Sequence, residues 1–388
     1  MLLQNLNPPA SVPITEYMYR KASRQLIPLS GTFELSPVCN FACKMCYVRK
    51  TAQQVAASPR PILTLDQWLH IARQARQAGM VYLLLTGGEP FLWPDFWPLY
   101  RQLIQMGFVI SINTNGSLID AQAVEQLRQL PPRRISITLY GASDATYQAL
   151  CGADHVFSRV DSAITQLQQA GIPVRLNCSL TPDNQHDLEA IVAYARQRSL
   201  ELSVTSYMFP PIRRDEQLVG SNPARFSPRD AAWYRLRAYQ LQATPQEYTR
   251  LLRQIQSGST PPLGLDEGCE DPLDGSIRCR AGKASFWVTW DGWMTPCGLM
   301  PTPRVDLAAR PFAEAWADLT QRSGQVKLSG LCRQCPSVGV CHPCAAMAIA
   351  ETGTASGMPR YLCHTVEWMQ KIAEEQLQTM IPDGCAEP

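Results

Sequence analysis

The sequence has almost no excess of charge of either sign. Its 388 residues carry 35 lysine and arginine against 33 aspartate and glutamate side chains, so the formal net charge is only +2. Composition therefore gives no support for a nucleic-acid or membrane-surface partner. No stretch reaches the roughly 18 consecutive apolar residues of a membrane span, and the N-terminus lacks the basic start and apolar core of a signal peptide. We expect a cytoplasmic protein.

Histidine is scarce, with 5 residues, whereas cysteine is abundant, with 14. The length, 45% hydrophobic and 18% charged residues indicate a globular protein of two or three domains. Without an export signal, so many cysteines favour metal or catalytic roles over disulfides. Three cysteines lie between Cys39 and Cys46, and eight between Cys269 and Cys363.

Residues 31–210 alternate short apolar runs with amphipathic stretches. The predicted strands are FELSPV, VYLLLT, VISINT, RISITLY, VRLNCSLT and LSVTSYMF. The helical patterns between them have Gly79, Gly107 and Gly171 at C-cap positions. Six strands alternating with five helices predict parallel pairing, and no further repeat closes the ring. We therefore expect an α/β fold, a partial (β/α)6 TIM-type barrel, with its chemistry at the C-terminal strand ends.

Beyond this barrel, residues 229–256 have helical patterns, and SGSTPPLGLDEG has the composition of a linker. The composition then shifts to cysteine, proline and glycine. We divide the chain into an N-terminal extension (1–30), a barrel with its following helices (31–258) and a cysteine-rich domain with a C-terminal helix (259–388).

The first cysteine group directly follows the first predicted strand, as Cys39, Cys43 and Cys46. Three thiolates on one loop can hold a four-iron cluster and leave one iron open for a substrate or cofactor. A zinc site or free thiols are the alternatives, although zinc usually needs a fourth ligand, and none lies nearby in the sequence.

Two further strands end in polar or flexible residues. The second is followed by Gly87, Gly88 and Glu89, whose backbone groups and carboxylate suit an ammonium group. The third ends in Asn113 and Asn115, which offer polar groups to a ribose. Each segment alone would be an ordinary turn, but three such strand ends in order favour one common site.

The CX3CX2C and GGEP motifs together resemble the radical S-adenosylmethionine (SAM) superfamily over residues 31–210. The resemblance implies a [4Fe–4S] cluster on the three cysteines and SAM as cofactor, with the methionine amino group held by Gly87, Gly88 and Glu89. It implies reductive cleavage of SAM to a 5′-deoxyadenosyl radical that abstracts a hydrogen atom, with electrons from a flavodoxin or ferredoxin type of donor. Thr138 occupies the position of a cofactor-contacting serine.

The sequence departs from the family pattern at three positions. Met45 replaces a residue that is often aromatic, Tyr140 replaces an aspartate, and Cys151 lies where an arginine often contacts the cofactor carboxylate. Arg159 and Arg175 are the alternative candidates for this carboxylate contact.

The second cysteine group contains paired CX2C steps, which are typical of zinc ribbons as well as of iron–sulfur sites. Together with Gly292 and Cys297 in a GX4C motif, it resembles the SPASM extension of the same superfamily over residues 269–365. The resemblance implies two auxiliary [4Fe–4S] clusters. Auxiliary cluster I would have the ligands Cys269, Cys279, Cys297 and Cys344, or three of these and an open iron if Cys269 does not bind. Auxiliary cluster II has the ligands Cys332, Cys335, Cys341 and Cys363.

Three cysteines remain. Cys151 and Cys178 are interpreted as core thiols and Cys385 as an inert tail residue. Cys178 has a second interpretation, because a thiol facing the barrel interior can donate a hydrogen atom to a substrate radical.

SPASM enzymes mostly modify ribosomally made peptides or proteins by forming thioethers, carbon–carbon crosslinks or epimers, and this is the predicted activity. Only 38 residues precede Cys39, so leader-peptide binding would use another surface or a separate protein. Gly298 stands where sulfatase-maturing relatives have aspartate, which disfavours formylglycine formation. The loop of Arg213, Arg214, Asp215 and Glu216 is either a polar substrate contact or solvated.

Two other functions stay open from the sequence. One is an oxidoreductase or decarboxylase acting on a small molecule, such as a tetrapyrrole side chain. The other is a zinc-binding or electron-transfer protein that has the fold without the catalysis.

Overall fold

The computed structural model describes residues 13–259 and 276–380. The strands are β1 (Ser30–Glu34), β2 (Tyr82–Thr86), β3 (Val109–Thr114), β4 (Arg134–Thr138), β5 (Val174–Ser179), β6 (Glu201–Thr205), β7 (Ser285–Val288), β8 (Trp293–Thr295) and β9 (Val305–Asp306). The helices are α1 (Ile14–Gln25), α2 (Ala52–Ala56), α3 (Leu65–Gln77), α4 (Phe96–Gln105), α5 (Ala121–Gln129), α6 (Asp144–Cys151), α7 (Phe157–Gln169), α8 (Leu188–Gln197), α9 (Pro228–Gln242), α10 (Pro245–Ser257), α11 (Phe312–Gly324), α12 (Gly330–Arg333), α13 (Val338–Cys341), α14 (Ala345–Thr352) and α15 (Arg360–Met380). In the described ranges no helix is long and apolar enough to cross a membrane.

The six predicted strands are confirmed and pair in chain order. The sheet runs β6-β5-β4-β3-β2-β1-β7-β8-β9, and β1 to β6 are all parallel. The helices between them cover the outer face, and Gly79, Gly107 and Gly171 end three of them with positive φ. The predicted partial α/β barrel is therefore the fold of this chain.

The two faces of the parallel strands differ in polarity. Leu85, Ile112 and Ile137 lie on the outer face and are fully buried under the helices. Alternate positions such as Ser111 and Ser136 line cavities on the inner face. Because successive side chains of a strand point to opposite faces, the apolar positions close the core and the polar positions create an interior that can hold a ligand.

The cysteine-rich part of the chain extends the barrel sheet, which the sequence did not predict. Strand β7 pairs in parallel with β1, with Ser30 opposite Ser285 and Thr32 opposite Trp287. Strands β8 and β9 then continue antiparallel. The sheet thus crosses the predicted boundary at residue 259, although the domain division itself stays a prediction.

The helical segments predicted near residues 229–256 are confirmed as α9 and α10. Thr244 caps α10 through a reciprocal bond pair with Glu247. Leu252, Ile255 and Met369 belong to one apolar cluster that packs α9 and α10 against α15. This cluster holds the C-terminal helix, which carries Cys363, against the side of the molecule beyond β6.

Candidate functional site

A cavity of about 340 Å³ lies at the C-terminal ends of the parallel strands. Its wall contains the three cysteines of CX3CX2C and residues from the ends of five strands. These residues are Cys39, Cys43, Cys46, Gly87, Gly88, Asn113, Asn115, Thr138, Ser179 and Thr205. The structure therefore brings together the strand ends that the sequence motifs single out, because all six parallel strands end at this edge.

The cysteine loop is arranged to support thiolate sulfurs. The backbone N–H of Phe41 donates to Cys39 Sγ, and that of Arg49 donates to Cys46 Sγ, both at 3.3 Å. Burial raises the pKa of the Cys39 thiol to about 12, so this sulfur needs a further positive partner to lose its proton. An all-thiol donor set with N–H bonds to sulfur fits an iron–sulfur cluster.

Cys43 has an environment that the sequence did not predict. The thiol of Cys151 and the hydroxyl of Tyr140 are hydrogen-bonded to its sulfur. The bond from Cys151 is the main reason why the pKa of Cys43 is lowered, and burial opposes it. Ala42 N also donates to Cys151 O at 2.7 Å, which ties the loop to the end of α6. Cys151 is therefore buried, as expected of a core thiol, but it contacts a predicted cluster ligand.

Gly87 and Gly88 allow the second strand end to pack directly on the loop after β1. A Cβ atom at Gly87 would lie 2.5 Å from Ser36 O, and one at Gly88 would overlap Val38 O. Gly88 N donates to Ser36 O at 2.7 Å. Both glycines line the cavity, so their predicted contact with the methionine amino group is sterically open and stays a prediction.

Glu89 lies behind the cavity wall. Its carboxylate is fully buried and accepts from Thr114 Oγ1 at 2.8 Å, Asn115 N at 2.8 Å and Phe91 N at 3.1 Å. Burial raises its pKa to about 7. The side chain of Glu89 thus holds the end of β3 in place, and its predicted contact with the methionine amino group stays a prediction.

The predicted ribose contacts differ from one another. Asn115 Nδ2 donates to Asn40 Oδ1 at 2.9 Å and to Cys39 Sγ at 3.7 Å, and its Oδ1 accepts from Ser117. Its amide is thus used to fix the cysteine loop. Asn113 and Thr138 line the cavity, and their predicted contacts with the cofactor stay predictions.

Arg49 is a site residue that the sequence analysis missed. It lines the cavity, and its Nε atom is buried without a hydrogen-bond partner. A buried, unpaired guanidinium N–H suits the carboxylate of a bound ligand. The two predicted candidates for this contact are wrong, because Arg159 is exposed on α7 and Arg175 lines a different cavity below. The only available sequence signal was a cation three residues after Cys46.

The predicted hydrogen-donor position of Cys178 is wrong. Arg175, Asn177 and Ser179 face the barrel interior, so Cys178 points to the opposite face by strand alternation. It is 1% exposed and packs in the core under the helices, where burial raises its pKa to about 12. The core-thiol interpretation is the one that fits.

Four cysteines of the second group lie close to one another. Burial, followed by the nearby charges of Cys363, Cys332 and Cys335, raises the pKa of the Cys341 thiol to about 12. Burial, followed by the nearby charges of Cys332 and Cys335, also raises the pKa of Cys363 at the start of α15. These are the four residues predicted for auxiliary cluster II.

Three predicted ligands of auxiliary cluster I also lie together. Cys279, Cys297 and Cys344 pack against one apolar cluster, and Cys279 and Cys297 line one cavity. Leu299 N donates to Cys297 Sγ at 3.4 Å. Cys269 and Cys385 lie outside the described residues. All twelve cysteines within the described ranges are free thiols.

In residues 13–259 and 276–380, no three His, Cys, Asp or Glu side chains converge as ligands of a single metal ion. In a four-iron cluster each thiolate binds a different iron, so the sulfurs stand farther apart than the ligands of one ion. Cluster ligation by these cysteines stays a prediction.

A buried ion pair connects the two cysteine groups. Glu34, at the end of β1, is fully buried and binds Arg213 through two bonds of 2.8 and 2.9 Å. Arg213 also donates to Gly298 O, next to Cys297, and Trp287 Nε1 donates to Glu34 at 2.9 Å. The guanidinium of Arg213 therefore binds groups inside the protein. Residues 214–216 are exposed, as expected of a solvated loop.

Gly298 has no room for a side chain. A Cβ atom there would lie 2.7 Å from the Trp287 ring. The indole of Trp287 on β7 thus leaves no space for an aspartate side chain at position 298.

Residues 33–195, which contain the cysteine loop and the strand ends around the cavity, match the family model described as the radical SAM superfamily. This segment is a radical SAM domain. The match runs from β1 into α8, and β6 and the cysteine-rich region follow it in the chain.

Full-length relatives extend the similarity beyond this segment. The AdoMet-dependent heme synthase of Methanosarcina barkeri is 27% identical over 83% of this chain and 92% of its own length. The PqqA peptide cyclase of Streptomyces rochei is 25% identical over 85% of this chain and 87% of its own. The sporulation killing factor maturation protein SkfB of Bacillus subtilis is 23% identical over 81% and 70%, respectively.

Two solved structures show the same fold. Streptococcus suis SuiB bound to S-adenosylmethionine has a TM-score of 0.62 and 16% identity, covering 93% of this chain and 83% of that one. Native anSMEcpe with bound AdoMet has a TM-score of 0.65 and 17% identity, covering 91% and 99%. The chain is an enzyme that contains a radical SAM domain and has a partial barrel fold.

Proposed function

We propose that this enzyme abstracts a hydrogen atom from a ribosomally made peptide or protein and so starts a thioether, a carbon–carbon crosslink or an epimerisation. The observation that carries the proposal is the cavity at the strand ends. There the three cysteines of CX3CX2C face Gly87, Gly88 and the unpaired Nε of Arg49.

The residues around the cavity fit the [4Fe–4S] cluster and SAM. When bound, these cofactors supply a 5′-deoxyadenosyl radical, formed by one electron that breaks a carbon–sulfur bond and leaves methionine. Cys39, Cys43 and Cys46 would hold the cluster, Arg49 would bind the carboxylate, and Asn113 with Thr138 would contact the adenosyl part. Transfer of a hydrogen atom from the substrate to this radical would leave a carbon radical on the substrate and give 5′-deoxyadenosine.

Two auxiliary clusters in the cysteine-rich region complete the proposal. The proximity of Cys332, Cys335, Cys341 and Cys363, and of Cys297 and Cys344, supports two separate thiolate sites. These sites would accept the electron that must leave the substrate radical when a new bond forms. The first electron would come from an external flavodoxin or ferredoxin type of donor, and a leader peptide would bind to another surface of the enzyme or to a separate protein.

The peptide class of substrate is supported by the relatives. PqqA peptide cyclase and SkfB, a maturation protein, align with more than four fifths of this chain. A solved structure of SuiB bound to its precursor peptide SuiA shares the fold, with a TM-score of 0.63.

A second candidate is a radical SAM enzyme acting on a carboxylate-bearing small molecule. It is favoured by one specific observation: the alignment with the AdoMet-dependent heme synthase of Methanosarcina barkeri covers 92% of that relative.

Cofactor cleavage and product analysis test the proposal. Anaerobically reconstituted enzyme with dithionite and SAM should form 5′-deoxyadenosine, measured by chromatography. Peptides encoded by short reading frames beside the gene should lose two hydrogens when a thioether or crosslink forms, or exchange one hydrogen with solvent deuterium when a residue is epimerised, as measured by mass spectrometry. Cleavage without any peptide change, combined with turnover of a tetrapyrrole carboxylate, would establish the second candidate instead. No deoxyadenosine at all would refute both.

A further inference from the structure

A second cavity, of about 560 Å³, occupies the lower part of the barrel interior. It is lined by inward-facing residues of β1 to β5 and by the start of the cysteine-rich region. Ser111, Ser136 and Asn177 supply neutral polar groups to its wall, and Arg134 and Arg175 supply charge. Closed barrels of this type usually fill such positions with packed apolar side chains, so this interior is built for a polar occupant.

The charges around this cavity do not balance. Arg133, Arg134, Arg175 and Arg280 all line it. Arg280 pairs with Glu16 at 2.6 Å and Arg175 with the exposed Glu201 at 3.1 Å. Arg133 stacks over the ring of Tyr82. Within the described ranges, therefore, four guanidinium groups meet two carboxylates.

Among these four arginines, Arg134 has the fewest groups that compensate its positive charge. It forms no ion pair within the described part of the chain, and its Nε is buried without a hydrogen-bond partner. Burial, followed by the charge of Arg175, lowers its pKa. Arg175 also has a buried Nε without a partner. Since Ser136 lies opposite Arg175 in the sheet and Ser111 opposite Arg134, the two arginines occupy adjacent levels of neighbouring strands.

Buried guanidinium donors without partners are costly to keep, and an anionic ligand would remove that cost. Planar guanidinium groups match carboxylates geometrically, and two on adjacent strands can hold one or two of them.

The two cavities share a wall residue, which connects this charge to the radical chemistry. Asn113 lines both the upper cavity with the CX3CX2C loop and the lower cavity. Cys279 and Cys297, predicted ligands of auxiliary cluster I, border the lower cavity as well. A ligand bound at the arginines would therefore share its cavity with predicted ligands of auxiliary cluster I and with Asn113 of the cofactor cavity.

We propose that Arg134 and Arg175 bind a carboxylate of the substrate inside the barrel, which orients the rest of the substrate toward the cofactor cavity. This inference rests on the proposed function and deepens it, because it assigns an acidic substrate to the same interior. The carboxylate belongs either to an acidic side chain of a peptide or to a small polycarboxylic acid.

Calorimetric titration of the reconstituted enzyme tests the proposal with three probes: citrate, a peptide of alternating glycine and glutamate, and the same peptide with glutamine. We expect citrate, the acidic peptide or both to bind, and the glutamine peptide not to bind. Arg134→Gln and Arg175→Gln should each weaken binding at least about tenfold, whereas Arg134→Lys should weaken it less. The matched control is Arg73→Gln, since Arg73 is exposed on the outer helix α3.

Binding of citrate alone identifies a small polycarboxylic acid, and binding of the acidic peptide alone identifies a peptide substrate. Equal affinity in Arg134→Gln, Arg175→Gln and Arg73→Gln overturns the proposal, as does the absence of any carboxylate binding. If Arg134→Gln does not fold, Arg175→Gln decides. Deoxyadenosine formation without substrate should survive in Arg73→Gln, so a wild-type enzyme that fails this reaction contradicts the proposed function and leaves the anion site a separate question.

Discussion

Arg49 shows what a single buried atom adds to a motif. The spacing of the cysteines and the GGEP motif indicate where SAM binds, but they do not identify its carboxylate partner. Sequence reasoning proposed Arg159 and Arg175, because position 151 lacks the usual arginine. The structure places neither at the cavity and leaves Arg49 Nε there without a partner. The orientation of a loop side chain depends on the tertiary fold, so a local sequence motif cannot predict it.

Arg49→Gln should raise the apparent KM for SAM about tenfold while changing kcat for deoxyadenosine formation less, because the lost bond is a charge-assisted contact to the bound cofactor. Arg49→Lys should recover part of the affinity. Lys50→Gln is the control, since Lys50 does not line the cavity. An unchanged KM in Arg49→Gln would remove this assignment.

In contrast to Arg49, the direction of the Cys178 side chain follows from strand alternation alone. Once Asn177 and Ser179 are on the inner face, Cys178 must face the helices. Cys178→Ala should therefore keep the ratio of modified product to deoxyadenosine, with a modest loss of stability from the small cavity that the change creates. Loss of product with normal deoxyadenosine formation would restore its role as a hydrogen donor.

At the scale of elements, the six parallel strands were predictable because each βα unit carries its own hydrophobic period. Strand β7 was not predictable, because its four residues lie far from β1 in the chain and only long-range pairing selects that edge. The same pairing places Trp287 beside Glu34 and closes the space above Gly298. The link between the radical SAM domain and the cysteine-rich region thus comes from tertiary contacts that no local motif specifies.

The ion pair of Glu34 and Arg213 tests this link. Arg213→Met leaves a buried carboxylate with only the Trp287 donor, and breaking such a pair typically costs about 3–5 kcal/mol. We expect the apparent melting temperature of the reconstituted enzyme, followed anaerobically by circular dichroism, to fall by roughly 5 °C or more.

Arg237→Met is the matched control, because Arg237 pairs with Glu189 at the surface, and exposed pairs contribute about 0–1 kcal/mol. Its melting temperature should change by roughly 2 °C or less. Equal shifts of the melting temperature in the two variants would show that the buried ion pair stabilises the protein no more than an exposed pair does.

At the scale of the whole molecule, the metal content follows from the cysteine groups. Three four-iron clusters predict about 12 iron atoms per chain after anaerobic reconstitution. Replacing Cys39, Cys43 and Cys46 together by alanine should leave about eight and abolish deoxyadenosine formation. Iron and zinc analysis by mass spectrometry checks this prediction, and stoichiometric zinc with little iron would contradict it.

The separation of the cysteine groups also predicts a division of labour. The cofactor cavity is formed by strand ends of the radical SAM domain, whereas Cys363 lies at the start of α15, near Cys332 and Cys341. Auxiliary cluster II does not contribute to the cofactor cavity. Its loss should therefore impair the removal of an electron from the substrate more than the cleavage of SAM. Cys363→Ala should thus give uncoupled turnover, in which deoxyadenosine persists while modified substrate falls.

This last experiment needs a folded protein, because metal sites in small cysteine-rich regions often contribute folding free energy. Solubility and the paramagnetic resonance signal of the first cluster must match those of Cys178→Ala, which removes a thiol outside both cysteine groups. Under that condition the ratio of product to deoxyadenosine decides the matter. Equal loss of both activities in folded Cys363→Ala would mean that the cysteine-rich region controls the geometry of the barrel, through contacts such as Arg213 with Gly298, rather than electron flow.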